Sequence, residues 1–147
     1  MRNIYKPASG DKMMYIYVSE KNIFPAPLTG IKEYSTDSKG RISIPSDLLK
    51  IISRVNKSDY FYASLDSVFT GGIVIIPECA FEELVPQSSF PSYSRRKLDP
   101  QNRVLVDMKD QDPAYVHGCG NFLLVHKKKM LDTADYFKPH FIPKSYG

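Results

Sequence analysis

The sequence has no tryptophan, only two cysteines and no long apolar run. Cys79 and Cys119 are too few for a disulfide framework, so we expect a reducing, cytoplasmic compartment. No apolar run approaches the roughly 18 residues of a membrane-spanning helix, which argues against a membrane protein. The first apolar stretch follows Pro7, Gly10 and Asp11, a pattern unlike that of a secretory signal peptide. These absences leave a globular cytoplasmic protein as the expectation.

Motifs that carry known catalytic chemistry are also missing. The chain has no GxSxG, no HExxH and no glycine-rich phosphate loop, so we expect a protein that is not an enzyme and has no catalytic residues and no cofactor. His117, Cys119 and His126 contain metal-ligating atoms, but a zinc site needs four ligands and no second pair is present. His117 and Cys119 would share one face of a strand. We therefore interpret them as a small core or interface patch and expect no metal.

Short runs of β-branched and aromatic residues alternate with turn residues, which include eleven prolines. Such runs suit a pleated, half-buried surface, and they predict a mainly β (α+β) protein with short helices. The predicted strands are Met13–Val18, Arg41–Ile44, Tyr60–Leu65, Gly72–Ile76, Arg103–Val106, Tyr115–Val116 and Asn121–Val125. One-sided apolar patterns predict helices at Ser46–Val55 and Pro77–Pro86, and a third short helix is expected at Lys128–Phe137.

One motif occurs twice in the chain. Residues 37–45 read DSKGRISIP, and residues 99–107 read DPQNRVLVD. In both, an Asp is followed four residues later by an Arg, and the Arg is followed by two β-branched residues that are separated by one other residue. Further on, residues 72–77 (GIVIIP) correspond to residues 120–125 (GNFLLV). The offset is 62 residues for the first pair and 48 for the second. We infer that the second copy has lost most of the helix that follows the first motif.

This repetition suggests how the chain is divided. We predict a first repeat at 31–85 and a second repeat at 95–137, joined by a linker at 86–94 whose sequence PQSSFPSYS has a linker's composition. Residues 1–30 are predicted as an extension that holds at most one strand, of the edge type. Residues 138–147 are predicted as a C-terminal tail.

The motif predicts a tight loop that leads into a strand. The carboxylates of Asp37 and Asp99 can accept hydrogen bonds from backbone N–H groups and so shape such a loop. Gly40 and Asn102 occupy the same place in the two copies, and these residue types tolerate a positive φ best. We therefore assign these four residues the role of structuring the two loops.

The arginine of each motif lies four residues after the aspartate. Asp37 and Arg41, and likewise Asp99 and Arg103, are close enough across the predicted turn for a carboxylate–guanidinium pair. Such a pair could brace the turn, or it could orient the arginine outward toward a ligand. Both interpretations are retained.

Basic residues are concentrated in the last third of the chain, where residues 94–147 carry ten basic and six acidic groups. Arg95, Arg96 and Lys97 form one triplet, and residues 127–129 form another. A lone triplet is usually a solvated surface. The net charge of +4 permits nucleic-acid binding without requiring it.

The segment DSKGRISIP (residues 37–45) resembles the signature of the AbrB/MazE/MraZ superfamily of swapped-hairpin β-barrel DNA-binding proteins, and the two copies resemble the double-repeat MraZ family. LTGIKEY (residues 28–34) is similar to the start of MraZ, and VHGCGNFLLV (residues 116–125) is similar to the strand-loop-strand of its second repeat. The resemblance covers roughly residues 28–135.

This resemblance implies a swapped-hairpin, AbrB-like β-barrel in which each of two tandem repeats supplies half of the unit, and a homo-oligomer that assembles into a ring. The face with the motif loops would bind repeated promoter sites in double-stranded DNA, and the protein would regulate transcription in the nucleoid. By the resemblance Lys39, Arg41 and Arg103 would contact DNA, with Arg95 and Arg96 as further candidates. Arginine can bind phosphate or guanine bidentately, and lysine can neutralise phosphate.

A second hypothesis comes from a different class. The same fold serves as an antitoxin or as a protein-binding assembly module. Residues 136–147 contain aromatic residues and prolines without a helical period, so this tail is a candidate site for a partner protein. The hypothesis stays open beside DNA binding.

Overall fold

The computed structural model describes residues 2–7, 16–17, 21–65, 72–130 and 137–142. Within them the chain forms eleven β-strands, two α-helices and one 3-10 helix. The strands are β1 (Arg2–Pro7), β2 (Ile16–Tyr17), β3 (Ile31–Tyr34), β4 (Arg41–Ser43), β5 (Tyr60–Ser64), β6 (Ile73–Pro77), β7 (Tyr93–Lys97), β8 (Arg103–Leu105), β9 (Ala114–Gly118), β10 (Leu123–His126) and β11 (Phe137–Ile142). The helices are α1 (Ser46–Ile52), α2 (Glu78–Leu84) and the 3-10 helix Gln87–Ser92.

Six strands form one antiparallel sheet in the order β3-β9-β10-β6-β5-β7. The central strands β6 (IVIIP) and β10 (LLVH) are buried along their whole length, and continuous apolar runs are typical of strands covered on both faces. In β5, buried Phe61 and Ala63 alternate with half-buried Tyr60 and Tyr62. The apolar pattern therefore distinguishes the centre of the sheet from its flanks.

The sheet is built symmetrically from the two halves of the chain. The equivalent strands of the two halves are β3 and β7, β5 and β9, and β6 and β10. When each strand is replaced by its equivalent, the order of the sheet is the same read from the other edge. Val74 of β6 lies opposite Leu124 of β10, and Ile42 of β4 lies opposite Val104 of β8. The first strand of each half pairs with the hairpin of the other half. The strands of the two halves are thus interleaved about an approximate two-fold axis.

The offset between equivalent residues decreases along the chain. Equivalent residues are 62 apart in β4 and β8, 53 apart in β5 and β9, and 50 apart in β6 and β10. The first half has α1 between β4 and β5, whereas the second half has no helix between β8 and β9. The loss of this helix, which the sequence offsets predict, is confirmed.

The buried core joins the six-stranded sheet to a two-stranded ribbon formed by β4 and β8. Ile42 and Val104 of the ribbon belong to the same buried cluster as Ile75 of the sheet. On the opposite face of β5, α2 places Phe81 against Tyr62 with ring centroids 3.7 Å apart and nearly parallel planes. Apolar surface is therefore removed from water on both faces of the sheet, and the core cluster, which contains residues of both halves, holds them together.

A second, three-stranded sheet has the order β11-β1-β2. β1 pairs along its whole length with β11 and pairs on its other side with β2. Ile16 of β2 is fully buried in the core cluster, and β2 contacts α2. Residues 137–142 of the predicted partner-binding tail are therefore paired with β1, while residue 136 and residues 143–147 lie outside the described residues.

The prediction of a mainly β fold with short helices is confirmed, and both central helices are present. The six-stranded sheet does not close into a barrel, because β3 and β7 are its two edges. Lys32 and Glu33 of β3, and Arg95 and Lys97 of β7, are exposed. Charged side chains of this kind are typical of edge strands that remain unpaired on one side.

The expected third helix at Lys128–Phe137 is wrong at both ends. Residues 128–130 are not helical, and Phe137 begins β11, while residues 131–136 lie outside the described residues. The backbone N–H groups of Lys128 and Met130 donate to histidine rings instead of starting a helical turn.

Two segments contain more regular secondary structure than the sequence predicts. The Pro/Ser-rich segment 86–94 contains the 3-10 helix and the first residues of β7, and Ser89 is fully buried within it. The segment 1–30 contains two strands, β1 and β2, where at most one was expected. Of the strand predicted at Met13–Val18, the described residues 16–17 form β2.

Among the residues that the structure describes, none of the helices combines the length and the apolar character needed to cross a membrane.

Gly118 lies where the end of β9 passes very close to the chain at residues 28–29. A Cβ atom at Gly118 would lie 2.5 Å from the amide nitrogen of Thr29 and 2.6 Å from the carbonyl carbon of Leu28. The N–H of Gly118 also donates to the carbonyl oxygen of Gly30 at 2.9 Å. The two backbones can approach this closely only because residue 118 has no side chain.

We expect Gly118→Ala to lower the free energy of unfolding by about 1–3 kcal/mol or more, since the added methyl group overpacks against backbone atoms that cannot rotate away. Urea unfolding followed by circular dichroism measures the change. Lys32→Ala, an exposed substitution on the neighbouring strand β3, is the control and should stay within about 0.5 kcal/mol of the unmodified protein. Equal effects of the two substitutions would contradict the close approach.

Candidate nucleic-acid interface

The loop at residues 37–41 is closed by the carboxylate of Asp37. Asp37 Oδ1 accepts hydrogen bonds from the backbone N–H groups of Lys39 (3.0 Å) and Arg41 (2.9 Å). The N–H of Gly40 donates to the carbonyl oxygen of Asp37 at 3.0 Å, and Gly40 has a φ of 85°. The short aspartate side chain thus replaces a backbone acceptor within the turn.

The loop at residues 99–103 repeats this arrangement. Asp99 Oδ1 accepts from the N–H groups of Gln101 and Arg103, both at 2.9 Å. The N–H of Asn102 donates to the carbonyl oxygen of Asp99 at 2.9 Å, and Asn102 has a φ of 61°. The prediction of a positive φ at the matching positions of the two loops is confirmed.

The second carboxylate oxygen of each aspartate binds an arginine. Asp37 Oδ2 lies 2.7 Å from Nε of Arg41, and Asp99 Oδ2 lies 2.9 Å from Nε of Arg103. The pairs also meet across the two loops, because Nη1 of Arg103 lies 3.5 Å from Asp37 Oδ2 and Nη1 of Arg41 lies 3.8 Å from Asp99 Oδ2. We call these four residues the Asp–Arg cluster.

The β4–β8 ribbon brings the two loops together. Arg41 is opposite Leu105, and Arg103 is opposite Ser43, so the two arginines are diagonal neighbours within reach of each other's loop. Each loop is also tied to the strand of the other half by an equivalent pair of hydrogen bonds. These run from the N–H of Ile44 to the carbonyl oxygen of Asn102 (3.0 Å) and from the N–H of Val106 to the carbonyl oxygen of Gly40 (2.8 Å). One copy of the motif predicts the Asp–Arg pair within its own loop but gives no sign of the contact between loops. The signal for that contact is the repetition of the motif in the two halves.

Hydrogen bonds hold both carboxylates in the ionised form. The backbone hydrogen bond from Arg41 is the main cause that lowers the pKa of Asp37 to about 2; partial desolvation opposes it, and the Arg41 guanidinium and the Lys39 N–H reinforce it. For Asp99, desolvation raises the pKa, but the hydrogen bonds from Arg103 and Gln101 outweigh it and the pKa is lowered. Both aspartates are therefore charged partners of the arginines at neutral pH.

The arginines retain donor atoms after these bonds are made. Side-chain exposure is 29% for Arg41 and 26% for Arg103. The side-chain hydrogen bond that each makes to another described residue is through Nε, and the cross-loop contacts of Nη1 are at ion-pair distances of 3.5 and 3.8 Å. Each guanidinium is thus fixed at one edge and keeps its Nη groups for a further acceptor.

The two loops differ in charge near their tips. Lys39 is exposed on the first loop, and Gln101 is exposed at the equivalent position of the second loop. Of the predicted DNA-contacting residues, Lys39, Arg41 and Arg103 therefore lie together on these two adjoining loops.

An acidic segment packs against the first loop. The N–H of Asp110 donates to the carbonyl oxygen of Asp37 at 3.0 Å, and a Cβ at Gly40 would lie 3.3 Å from Cα of Asp107. Asp107 and Asp110 are exposed, so their carboxylates add negative charge beside the cluster. Gly40 therefore suits both the positive φ of the turn and this close packing.

Arg95 and Arg96 of β7 lie outside the Asp–Arg cluster. Nε of Arg95 donates to the carboxylate of Glu78 in α2, and its guanidinium lies 3.5 Å above the ring centroid of Tyr60. Arg96 follows it on the opposite face of the strand, where its Nε is buried and has no hydrogen-bond partner among the described residues. The structure therefore gives Arg95 a packing role and does not bring either residue to the motif loops.

No group of three or more His, Cys, Asp or Glu side chains among the described residues is arranged to hold a metal ion. His117 and His126 are buried and bond to the backbone, and burial raises the pKa of the Cys119 thiol to about 12. The Asp–Arg cluster is thus the only arrangement of the predicted site residues that the described structure assembles.

No protein-family profile matches the chain, and a comparison with curated proteins finds no relative.

We expect the carboxyl group of Asp37 to titrate near pH 2 in the folded protein, below the usual value of about 3.9. Because the folded-state pKa is lowered, the stabilisation from this carboxylate is complete above about pH 4 and is lost as the pH falls through 2. Carbon-13 NMR of the carboxyl carbon measures the titration. In Arg41→Gln, which removes the guanidinium partner, the titration should move upward; an Asp37 that titrates near 3.9 in the unmodified protein would contradict the cluster.

Proposed function

We propose that this chain is a sequence-specific, double-stranded DNA-binding regulator of transcription, that it acts as a homo-oligomer, and that the Asp–Arg cluster is its DNA contact. One observation carries the proposal: Arg41 and Arg103 are each held through Nε by the aspartate of their own loop, while their Nη groups stay available. Two guanidinium groups are therefore oriented in advance on one rigid ribbon.

This orientation suits nucleic-acid recognition. The two Nη nitrogens of an arginine form a fork that matches the O6 and N7 atoms of guanine or two oxygens of a phosphate. Because Nε is already bound to aspartate, the side chain loses less freedom when the fork meets DNA. The cross-loop ion pairs of 3.5 and 3.8 Å are long enough for a DNA acceptor to replace them while the Nε bonds remain.

The charge of the surroundings indicates how binding would be divided. Lys39 can neutralise a phosphate beside the first loop, whereas the exposed carboxylates of Asp107 and Asp110 would repel the DNA backbone on the side where their segment packs. One such cluster makes few contacts, so the proposal includes several copies of the chain that engage repeated sites in a promoter, where linked binding events reinforce each other. The nucleoid is the proposed place of action.

We expect Arg41→Gln and Arg103→Gln each to weaken binding to a specific duplex by about tenfold or more, the effect of losing one bidentate contact. Fluorescence anisotropy with a duplex from upstream of the protein's own gene measures the affinity, with a scrambled duplex and a salt series beside it. Arg54→Gln is the matched control: it removes the same charge from an exposed site after α1 and should leave the specific affinity nearly unchanged. Size-exclusion chromatography checks that the assembly is unaltered.

A second variant separates DNA contact from bracing. Asp37→Asn keeps an oxygen that can accept the backbone N–H bonds but removes the charge that pairs with Arg41. If the arginine contacts DNA, Asp37→Asn should weaken binding less than Arg41→Gln does, because the guanidinium is still present although its orientation through Nε is lost. If both variants lose affinity equally, the arginine braces the loop only; if neither does, the cluster is not the DNA contact.

A further inference from the structure

Two buried histidines lie on neighbouring strands of the second half. His117 of β9 and His126 of β10 are each only 2% exposed, although both side chains can take up a proton near neutral pH. The proposed DNA contact does not use them. Both bind instead to backbone groups of residues 127–130, directly after β10, which we call the post-β10 segment.

The hydrogen bonds of His117 define its tautomer. The N–H of Met130 donates to Nε2 at 2.9 Å, and Nδ1 lies 3.0 Å from the carbonyl oxygen of Leu124. A backbone N–H can only donate and a carbonyl can only accept, so Nε2 has no proton and Nδ1 carries one. His117 is therefore held as a neutral ring with both nitrogens engaged.

His126 holds the same segment through its other ring nitrogen. The N–H of Lys128 donates to Nδ1 of His126 at 2.9 Å, so the proton of the neutral ring is on Nε2. The two imidazoles thus accept hydrogen bonds from alternate amides of the post-β10 segment, those of residues 128 and 130.

The equivalent place in the first half is occupied by a helix. The offset of 50 residues between β6 and β10 relates Lys128 to Glu78, where α2 begins. In the first half α2 covers the sheet by stacking Phe81 on Tyr62. In the second half the described residues after β10 are not helical, and two neutral imidazoles fix the chain there. An aromatic contact therefore holds the segment after β6 in the first half, whereas side chains that can take up a proton hold the segment after β10 in the second half.

We propose that His117 and His126 form a pH-sensitive clasp that holds the post-β10 segment at neutral pH and releases it on protonation. A proton taken up at Nε2 of His117 turns this acceptor into a donor that faces the N–H of Met130. A proton at Nδ1 of His126 does the same opposite the N–H of Lys128. Each event removes one hydrogen bond, sets two donors against each other and leaves a buried charge.

The groups around His117 do not neutralise such a charge. Tyr115 lies on the same face of β9, with its ring centroid 6.5 Å from that of His117. Cys119, just after the strand, stays uncharged because burial raises the pKa of its thiol to about 12. β10 places Leu124 beside the ring, and β3 places Ile31 opposite it. Both ring nitrogens are occupied by backbone groups, and no carboxylate of the described residues bonds to this imidazole.

Charged groups of both signs lie near His126. Tyr115 lies directly opposite His126, and Glu33 of β3 lies opposite Tyr115 in the same row. The exposed lysines at residues 127–129 follow His126 in the chain. The hydrogen bond that Nδ1 accepts from Lys128 requires the neutral ring.

The sign of the pH dependence follows from burial. Burial lowers the pKa of His117 below its usual value, although bonds to the carbonyl groups of Leu124 and Tyr115 oppose the shift. A released segment leaves the ring free to bind a proton at its usual pKa near 6.5. The clasp is therefore fully effective above about pH 6.5 and weakens as the pH falls through the lower pKa of the closed state.

Nitrogen-15 NMR of the full chain tests the clasp in two ways. At pH 7.5 the ring shifts should show His117 with its proton on Nδ1 and His126 with its proton on Nε2. As the pH is lowered below 6.5, the amide protection of Met130 and Lys128, corrected for the intrinsic exchange rate, should fall by about tenfold per pH unit for each proton taken up. The amides of Leu124 and Val125 in β10 should stay protected as internal controls.

Two variants replace the acceptors with groups that cannot titrate. The side-chain oxygen of His117→Gln can take the place of Nε2, and that of His126→Asn can take the place of Nδ1. We expect the double variant to keep Met130 and Lys128 protected at acidic pH. The opposite tautomers in the unmodified protein, or amide protection that does not change while both rings titrate, would overturn the clasp whether or not the variants fold.

Discussion

The antiparallel pairing of β4 with β8 is the contact on which the candidate interface depends. Ile42 faces Val104 at its centre, and the two motif loops therefore meet at one place although they are 62 residues apart in the chain. Each aspartate then uses its two oxygens separately: Oδ1 closes the loop, and Oδ2 holds a guanidinium. The same carboxylates consequently set the geometry of the loops and the orientation of the arginines. Because each aspartate also contacts the arginine of the other loop, a change at one aspartate affects both loops.

The balance of charge in this arrangement has a consequence for selectivity. Two aspartates offset two arginines, and the exposed Asp107 and Asp110 lie beside them. A surface of this kind exerts little long-range attraction on a polyanion. In the proposed complex, affinity would come from short-range hydrogen bonds at matching acceptors and from several linked copies, and general attraction to phosphate would contribute little. Sequence preference is then favoured over non-specific binding.

The sequence predicts much of the sheet and the local form of the site, for reasons that particular residues make clear. The apolar runs of β6 and β10 are long enough to indicate central strands, and the Gly40–Asn102 equivalence is enough to predict two loops with positive φ. β7 is missed because its residues, YSRRK, show an edge strand's polarity after a Pro/Ser-rich stretch. The residues after β10 look helical because they contain lysines and apolar residues, but backbone N–H groups that would begin a helix bind His117 and His126 instead. Long-range partners of this kind, like the bonds between the two loops, have no local sequence pattern.

The two-fold register of the sheet has a consequence for how such a chain arises. In the six-stranded sheet and the β4–β8 ribbon, each pairing between the halves is matched by its reciprocal pairing. A half-length chain with this register would therefore build the same sheet by associating with a second copy of itself. As long as the halves are separate identical molecules, any substitution occurs on both sides of the axis at once and must be compatible with itself. Once both halves are one polypeptide, this requirement ends. The two positions related by the axis can then hold different residues, Lys39 and Gln101, and α1 can be kept in the first half alone. Covalent duplication thus gives a symmetric scaffold the freedom to become chemically asymmetric while its backbone pairing is preserved.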